Sequence, residues 1–290
     1  MDFYTKTEVN AIFGKSAESN SRYDLYTKAE IDTNFGTPET LVLPSDMLDF
    51  YTKTEIDSIQ TYDETKVAVV ELDSSGQPIE ETVQYFDTVR NASSYISGQS
   101  SNFYIRVGTS CTDTSGFSTQ RFSSAANLKI VEIYNHTTMI EDSCFENSGL
   151  EQIKLPDTIT DIKSNAFRGC DLVELTIPGT AALGVRICGE CDKLERVVIL
   201  QGVTSIPQQA FQDCTSLTDV VIPDGVLTIG MLAFQSCGMS AIDIPSTVTS
   251  INSMTFTGCT KLTQIVIHQP SGSISGAPWG ATNATVTWTG

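Results

Sequence analysis

The chain has 290 residues of which 40% are apolar, enough to bury a core and to rule out a disordered polymer. Its 17 basic and 35 acidic residues give a formal charge of -18, which excludes a phosphate-tracking surface and docking on an anionic membrane. No apolar stretch approaches the roughly 18 residues that span a bilayer, and Met1-Asp2-Phe3-Tyr4 has neither the basic start nor the apolar run of a signal peptide. Nucleic acid, membrane insertion and a secretion address are therefore not expected.

Residues 1–62 say one phrase three times: FYTKTEVN from Phe3, LYTKAEID from Leu25 and FYTKTEID from Phe50. In each, a threonine stands three residues before a glutamate: Thr5 and Glu8, Thr27 and Glu30, Thr52 and Glu55. That is the spacing of a capping box, in which the hydroxyl accepts from the third helical amide and the carboxylate accepts from the cap amide. The preceding tyrosines (Tyr4, Tyr26, Tyr51) and the residues after the glutamates (Val9, Ile31, Ile56) complete a hydrophobic staple. The helices so started are short, ending near Gly14 and Gly36. Isolated helices below about 12 residues are marginal in water, so partners are needed. The expectation is a stalk in which several copies of the chain pool Tyr4, Val9, Ile12, Phe13, Leu25, Tyr26, Ile31 and Phe35; packing on the chain's own body is the alternative.

Residues 63–120 read as a small α+β cap. Lys66–Leu72 is a strand, Asp73-Ser-Ser-Gly76 a turn, Glu80 to Ile96 a helix with Val83, Phe86, Val89 and Tyr95 apolar, and Phe103–Val107 a second strand.

From residue 121 to 270 the pattern becomes periodic. Cys170, Cys191, Cys214, Cys237 and Cys259 are separated by 21, 23, 23 and 22 residues, a period that belongs to stacked repeats. Aligned on them, seven copies are anchored on Phe122, Phe145, Phe167, Cys188, Phe211, Phe234 and Phe256. Each holds an alternating strand whose inward pair is Val131/Ile133, Ile153/Leu155, Leu175/Ile177, Val197/Ile199, Val220/Ile222, Ile242/Ile244 or Ile265/Ile267. A proline (Pro156, Pro178, Pro223, Pro245) closes four of these strands, and a V-x-x-I pattern (Val203/Ile206, Val226/Ile229, Val248/Ile251) covers the opposite wall. Laddered cysteines point the same way about 5 Å apart, whereas a disulfide needs facing Cβ atoms; the thiols are expected free and buried. Residues 271–290 end in an alternating strand, Thr285–Trp288, beside a turn at Trp279, and read as a cap strand on the last rung.

Two resemblances follow from these residues. AFRGCDLVELTIP, AFQDCTSLTDVVIP, AFQSCGMSAIDIP and TFTGCTKLTQIVI closely resemble the BspA-like leucine-rich repeat. That likeness implies a mainly β solenoid of about seven rungs, curved and right-handed, with a strand ladder along one face and a use in adhesion. Phe167, Cys170, Phe211, Cys214, Phe234, Cys237, Phe256 and Cys259 are its core marks. The chain departs from the pattern at Cys188 and around Gly179–Leu183, where a bulge is expected. The Y-T-K-x-E phrase is similar to repeats in tail fibres and receptor-binding proteins of bacteriophages infecting Gram-positive and gut bacteria, and PWGATNATVTWTG looks like endings of such proteins. This resemblance implies a virion fibre protein, a homotrimer made in the host cytoplasm, joined to other tail proteins upstream, and a chain that is a piece of a longer fibre.

Chemistry is sparse. His136 and His268 lie about six rungs apart, roughly 30 Å, and cannot share a site within one chain. Cys188-Gly-Glu-Cys191 is formally C-x-x-C but sits in the repeat register, so a structural role is expected and neither metal nor cofactor is. Asn91, Asn135 and Asn283 head glycosylation sequons that a phage protein would not use. Asp219 and Asp243 sit on adjacent rungs two positions out of register, about 8 Å apart, inside the carboxylate separation of inverting glycosidases. The reading reached is a host-recognition protein that binds a bacterial surface protein or polysaccharide and is not an enzyme, with Tyr134, His136, Arg196, Asp219, Asp243 and His268 as candidate binding residues. A bacterial surface adhesin and a polysaccharide depolymerase using Asp219 and Asp243 are the alternatives.

Overall fold

The structure is a computed structural model; it describes residues 63–290 and, as backbone, Phe3–Thr5 and Leu25–Thr27. The chain divides into two compact units, Met1–Tyr62 and Asp63–Gly290. In the first, β1 (Phe3–Thr5) and β2 (Leu25–Thr27) pair antiparallel with Tyr4 opposite Tyr26, so two copies of the repeated phrase meet at their openings. Thr5 and Thr27 thus end extended segments, the backbone state an N-cap residue takes. The expected helices, with Glu8, Glu30, Thr52 and Glu55, lie outside the described residues.

The second unit opens with β3 (Val67–Leu72) and β4 (Pro78–Phe86), an antiparallel hairpin over the Asp73–Gly76 turn, followed by α1 (Val89–Ile96) and β5 (Asn102–Val107). The expected helix from Glu80 to Ile96 is corrected: its first half is strand β4. The Asp73 carboxylate accepts the Ser75 and Gln77 amides and reverses the chain. Thr82, Val83, Tyr85 and Phe86 are then residues that favour a pleated strand once β3 lies alongside. The helix begins only at Thr88, whose hydroxyl accepts the Asn91 amide, while the Asp113 carboxylate accepts the Val89 amide at 2.7 Å.

The cap joins the first repeat directly. β5 pairs parallel with β6 (Leu128–Ile133), the first repeat strand, and β6 with β8 (Gln152–Lys154), giving one five-stranded sheet in the order β4-β3-β5-β6-β8. The same face continues in β10 (Glu174–Ile177), β12 (Arg196–Ile199) and β14 (Asp219–Val221), then in β16 (Ala241–Ile244), β18 (Gln264–Ile267) and β19 (Thr285–Trp288). All these pairings are parallel and in register, and β19 adds an eighth rung at the expected residues. The ladder is interrupted between β8 and β10 and between β14 and β16. At those breaks the inward residues Ile153, Leu155, Val220 and Ile222 are half-buried, whereas the inward pairs of β10, β12, β16 and β18 are fully buried.

The opposite wall is made of two-residue strands: β7 (Met139–Ile140), β9 (Asp161–Ile162), β11 (Ala182–Leu183), β13 (Ser205–Ile206), β15 (Thr228–Ile229) and β17 (Ser250–Ile251). It divides between β11 and β13, where an irregularity is expected. The cause is a missing residue. Ala181 takes the place after Pro178 that Ile159 takes after Pro156, each amide bonding the proline carbonyl, yet Leu183 pairs with Ile162. One position of V-x-x-I is absent, and Cys170 to Cys191 is correspondingly the shortest spacing of the series.

Between the walls the anchors stack. Phe122, Phe145 and Phe167 lie with ring centroids 5.3 and 5.5 Å apart, and Phe211, Phe234 and Phe256 at 5.6 and 5.9 Å, with near-parallel planes. Cys188 fills the gap between the two stacks and is fully buried. All eight cysteines are free and buried, which for Cys170, Cys191, Cys214, Cys237 and Cys259 is the expected state. The repeat cysteines have a further use: each thiol donates to the carbonyl of the preceding anchor, Cys170 to Phe145, Cys191 to Phe167, Cys214 to Cys188, Cys237 to Phe211 and Cys259 to Phe234, at 2.9–3.2 Å. Four of these carbonyls already accept a turn amide, Phe145 from Ser148, Phe167 from Cys170, Phe211 from Cys214 and Phe234 from Cys237, so there the thiol occupies the carbonyl's second lone pair.

Burial in this apolar column pushes the thiols of Cys144, Cys170, Cys188, Cys214 and Cys237 upward, and that of Cys259 to about 11. A group whose folded pKa is raised gives its full stabilisation below its unfolded pKa, here 9.0, and loses it as pH rises through the folded value. The stability advantage of the wild type over Cys259→Ala should therefore shrink between pH 9 and about 11. Urea unfolding of both proteins across that range measures it; a constant difference would show that the thiol is not held neutral.

On one edge of the solenoid Arg168 bridges rungs, its guanidinium 2.6 Å from both Glu146 and Glu190, and Arg186 joins Glu190 as well. The row continues as Gln209, Gln212 and Gln235, which bond one another through their amides. Arg168 is only a quarter exposed; Arg168→Met strands the part-buried Glu146 carboxylate and leaves Glu190 to Arg186 alone, and should cost about 1–3 kcal/mol, read as a lowered urea midpoint.

Candidate functional site

A parallel ladder alternates its side chains, so every strand that buries two residues presents the residues between them outward. On the described outer face these line up in columns. One runs Tyr104, Ile130, Gln152, Glu174, Arg196, Asp219, Ala241, Gln264 and Thr285; the next runs Arg106, Glu132, Lys154, Thr176, Val198, Val221, Asp243, Val266 and Thr287. Three stretches of this face carry polar side chains held in defined geometry.

At the cap end Tyr134 is clamped. Its ring has the Arg106 guanidinium 4.4 Å from the centroid and the Lys154 ammonium at 4.3 Å. Its hydroxyl donates to Glu132 at 3.1 Å and accepts from Lys154 at 3.1 Å. Tyr104 also donates to Glu132, at 2.5 Å, and Arg106 pairs with Glu64 at 2.7 Å. Both cations are engaged by the ring and by carboxylates or the phenol, an arrangement that fixes the cap to the first rungs. A ring engaged by two cations is a poor platform for a stacking ligand.

In the middle, Glu174, Arg196 and Asp219 form a row across three rungs. Arg196 lies 2.9 Å from Asp219 through Nε and 3.5 Å from Glu174 through Nη1, and the three side chains are 53%, 49% and 57% exposed in chain order. Beside them run Thr176, Val198 and Val221, with Leu200 exposed at the strand end. At the C-terminal end Asp243 meets His268 at 3.6 Å, and the other ring nitrogen of His268 lies 3.0 Å from the Thr289 hydroxyl. Among the described residues no group of three or more His, Cys, Asp or Glu could hold a metal ion, and no helix is long and apolar enough to cross a membrane.

The family model for the BspA type leucine rich repeat region matches in six copies over residues 115–184 and 181–277, more than half of the chain. The chain belongs to this family. Similar solved structures include a leucine-rich repeat protein from Bacteroides ovatus, 22% identical over 63% of this chain with a TM-score of 0.42. A leucine rich cell surface protein from Faecalibacterium prausnitzii is 20% identical over 59% of this chain and 69% of its own, with a TM-score of 0.28. The pneumococcal vaccine antigen PcpA is 14% identical over 63% of this chain and 55% of its own, with a TM-score of 0.41. This chain spans about half, 53%, of the Bacteroides protein. No curated protein matches the sequence.

Placed on the leucine-rich repeat, the expected residues fall into separate groups. Arg196 and Asp219 are joined, Asp243 and His268 are joined, Tyr134 lies in the clamp, and His136 stands exposed on the turn after β6. Asp219 and Asp243 have partners on opposite sides, Arg196 on the rung before the one and His268 on the rung after the other. Glu174, the third member of the central row, and Tyr104, Arg106, Glu132 and Lys154, which build the clamp, were not singled out from sequence. The signal for Glu174 was available: it precedes Arg196 by 22 residues and Asp219 by 45, one and two repeat periods. Of the sequons, Asn135 is buried, its amide donating to the Cys111 and Asp113 carbonyls, whereas Asn91 and Asn283 are exposed.

Proposed function

We propose that this leucine-rich repeat is the recognition module of a bacteriophage tail fibre and binds a component of the host surface with the outer face of its strand ladder. The observation that carries the reading is the row of exposed, mutually oriented charges at Glu174, Arg196 and Asp219, with the Asp243 and His268 pair on the same face. Parallel rungs hold such side chains on a rigid backbone, as a preorganised surface requires. The three Y-T-K-x-E phrases of residues 1–62 support the fibre context. Several chains joined through that segment would multiply a weak contact by effective concentration.

A polysaccharide depolymerase is the less favoured reading. Inverting hydrolysis needs two carboxylates facing one bond across an enclosed site. Asp243 is 77% exposed, and Asp219 turns toward Arg196 while Asp243 turns toward His268.

Binding of the labelled full chain to a panel of bacteria tests the proposal, together with competition against phage adsorption and the mass of the chain in solution. Saturable binding that blocks adsorption, by a species three chains in mass, is the expected result. Binding without any effect on phage would favour a bacterial surface adhesin, and a monomer at micromolar concentration would refute the oligomeric stalk.

A further inference from the structure

We propose that the central patch on β10, β12 and β14 takes a hexosamine unit, a sugar ring bearing a protonated amine, as its ligand. The inference rests on the recognition reading above and names the chemistry of what is recognised. The three strands form a hydrogen-bonded sheet of their own, interrupted on both sides. Three rungs about 4.8 Å apart and one step of two residues along the strand give a face of roughly 10 by 7 Å. A protein partner needs on the order of 800 Å² per side for a stable interface, so this patch is scaled to one or two sugar rings.

Its chemistry divides into two strips. Val198, Val221 and Leu200 offer aliphatic surface, which suits the C–H face of a pyranose. Alongside, Glu174, Arg196 and Asp219 offer planar acceptors and donors of the kind that hold neighbouring hydroxyls in pairs. The charges are unequal. Asp219 is held by Arg196 at 2.9 Å, whereas Glu174 is 3.5 Å from the same guanidinium and retains acceptor capacity. Two carboxylates against one guanidinium leave the patch net negative, in a chain of formal charge -18. That field repels uronate, sialate and phosphate polymers and attracts an ammonium. In the assignment the ligand amine donates to Glu174, the ring hydroxyls pair with Asp219 and Arg196, and the apolar ring face lies on Val198 and Val221.

The test titrates the full chain with three oligosaccharide probes at millimolar concentration: a glucosamine tetramer, the N-acetylated tetramer and a tetramer containing glucuronic acid. Binding of labelled chain to host cells is measured in parallel. The expected order is glucosamine first, the acetylated form about tenfold weaker for loss of one charge-assisted hydrogen bond, and the acidic tetramer undetectable. Glu174→Gln should remove the preference for the free amine without changing binding of the acetylated tetramer, and Arg196→Ala should weaken both. All three side chains are half exposed, so the variants should melt like the wild type, and Glu81→Gln, an exposed position on β4 at the far edge of the cap sheet, serves as a control that changes nothing. Equal binding of the three probes, or of none, overturns the inference. If cells are still bound in that case, by wild type and Arg196→Ala alike, the recognition reading stands with a different epitope; if the glucosamine tetramer binds but no cell does, the recognition reading fails and the sugar site remains.

Discussion

Trp279→Ala is expected to lower the stability of the repeat unit by about 3–5 kcal/mol, the cost of emptying a large aromatic site that cannot collapse. Trp279 heads the fully buried side chains by size and closes the column of anchors. Phe256 at the end of the stack donates its amide to the Trp279 carbonyl at 2.9 Å, as each earlier anchor donates to the rung beyond it. The indole Nε1 donates to the Ser275 carbonyl at 2.8 Å, and its ring meets Trp288 edge-on at 6.5 Å. Removing it therefore opens a cavity beneath β19 and leaves the Ser275 carbonyl without its donor. In a stack where each rung contacts only its neighbours, such damage is felt first at the end. Amides of β18 and β19 should lose hydrogen-exchange protection before those of β10 and β12. Trp279→Phe, which keeps the ring and loses the donor, should cost about 1–2 kcal/mol. A thermal midpoint unchanged in Trp279→Ala would mean that the last rung is closed by other contacts.

The parts of this fold that were legible in the sequence are those that repeat. Inward pairs such as Leu175/Ile177 and Ile265/Ile267, and the Phe and Cys columns, recur at 21–23 residues because equivalent side chains occupy one column of one core. Outward residues inherit the register, so Arg196 and Asp219 could be placed on a common face, and Asp243 and His268 likewise. What was not legible depends on contacts outside the period. Glu80–Phe86 has Val83 and Phe86 three residues apart, which suits a helix as well as a strand; the hairpin partner β3 decides, and that partner is tertiary. The Tyr134 clamp joins Arg106, Glu132 and Lys154 from three strands, and Arg106 belongs to the cap, which has no copy to align with. The cysteine column was readable as buried thiols, but its bonds to the preceding anchor carbonyls need the turn geometry, which alternation does not encode. Thr5 and Thr27 carry a local cap signature, whereas the pairing of β1 with β2 joins segments 22 residues apart.

Phe211→Ala is the second large expectation, and it distinguishes a stack of rungs from a single cooperative core. Phe211 is fully buried, with Phe234 stacked on one face at 5.6 Å and Cys188 in place of a phenylalanine on the other side. The column is already at its thinnest there, and the second wall divides between β11 and β13, one rung earlier. Truncation should cost about 3–5 kcal/mol. Phe145→Ala should cost a similar amount at a site stacked on both faces, by Phe122 at 5.3 Å and Phe167 at 5.5 Å, and joined to the cap through Phe117. The two variants should differ in cooperativity. Nearest-neighbour coupling predicts that weakening the middle separates the halves, so Phe211→Ala should unfold in two steps. The chain carries its own reporter for this, since both tryptophans, Trp279 and Trp288, lie in the last rung. Fluorescence then follows the C-terminal half while far-ultraviolet circular dichroism follows all rungs. In guanidinium the two midpoints should coincide for the wild type and separate for Phe211→Ala, and coincident midpoints in the variant would show that coupling across Cys188 is strong enough to hold the solenoid together as one unit.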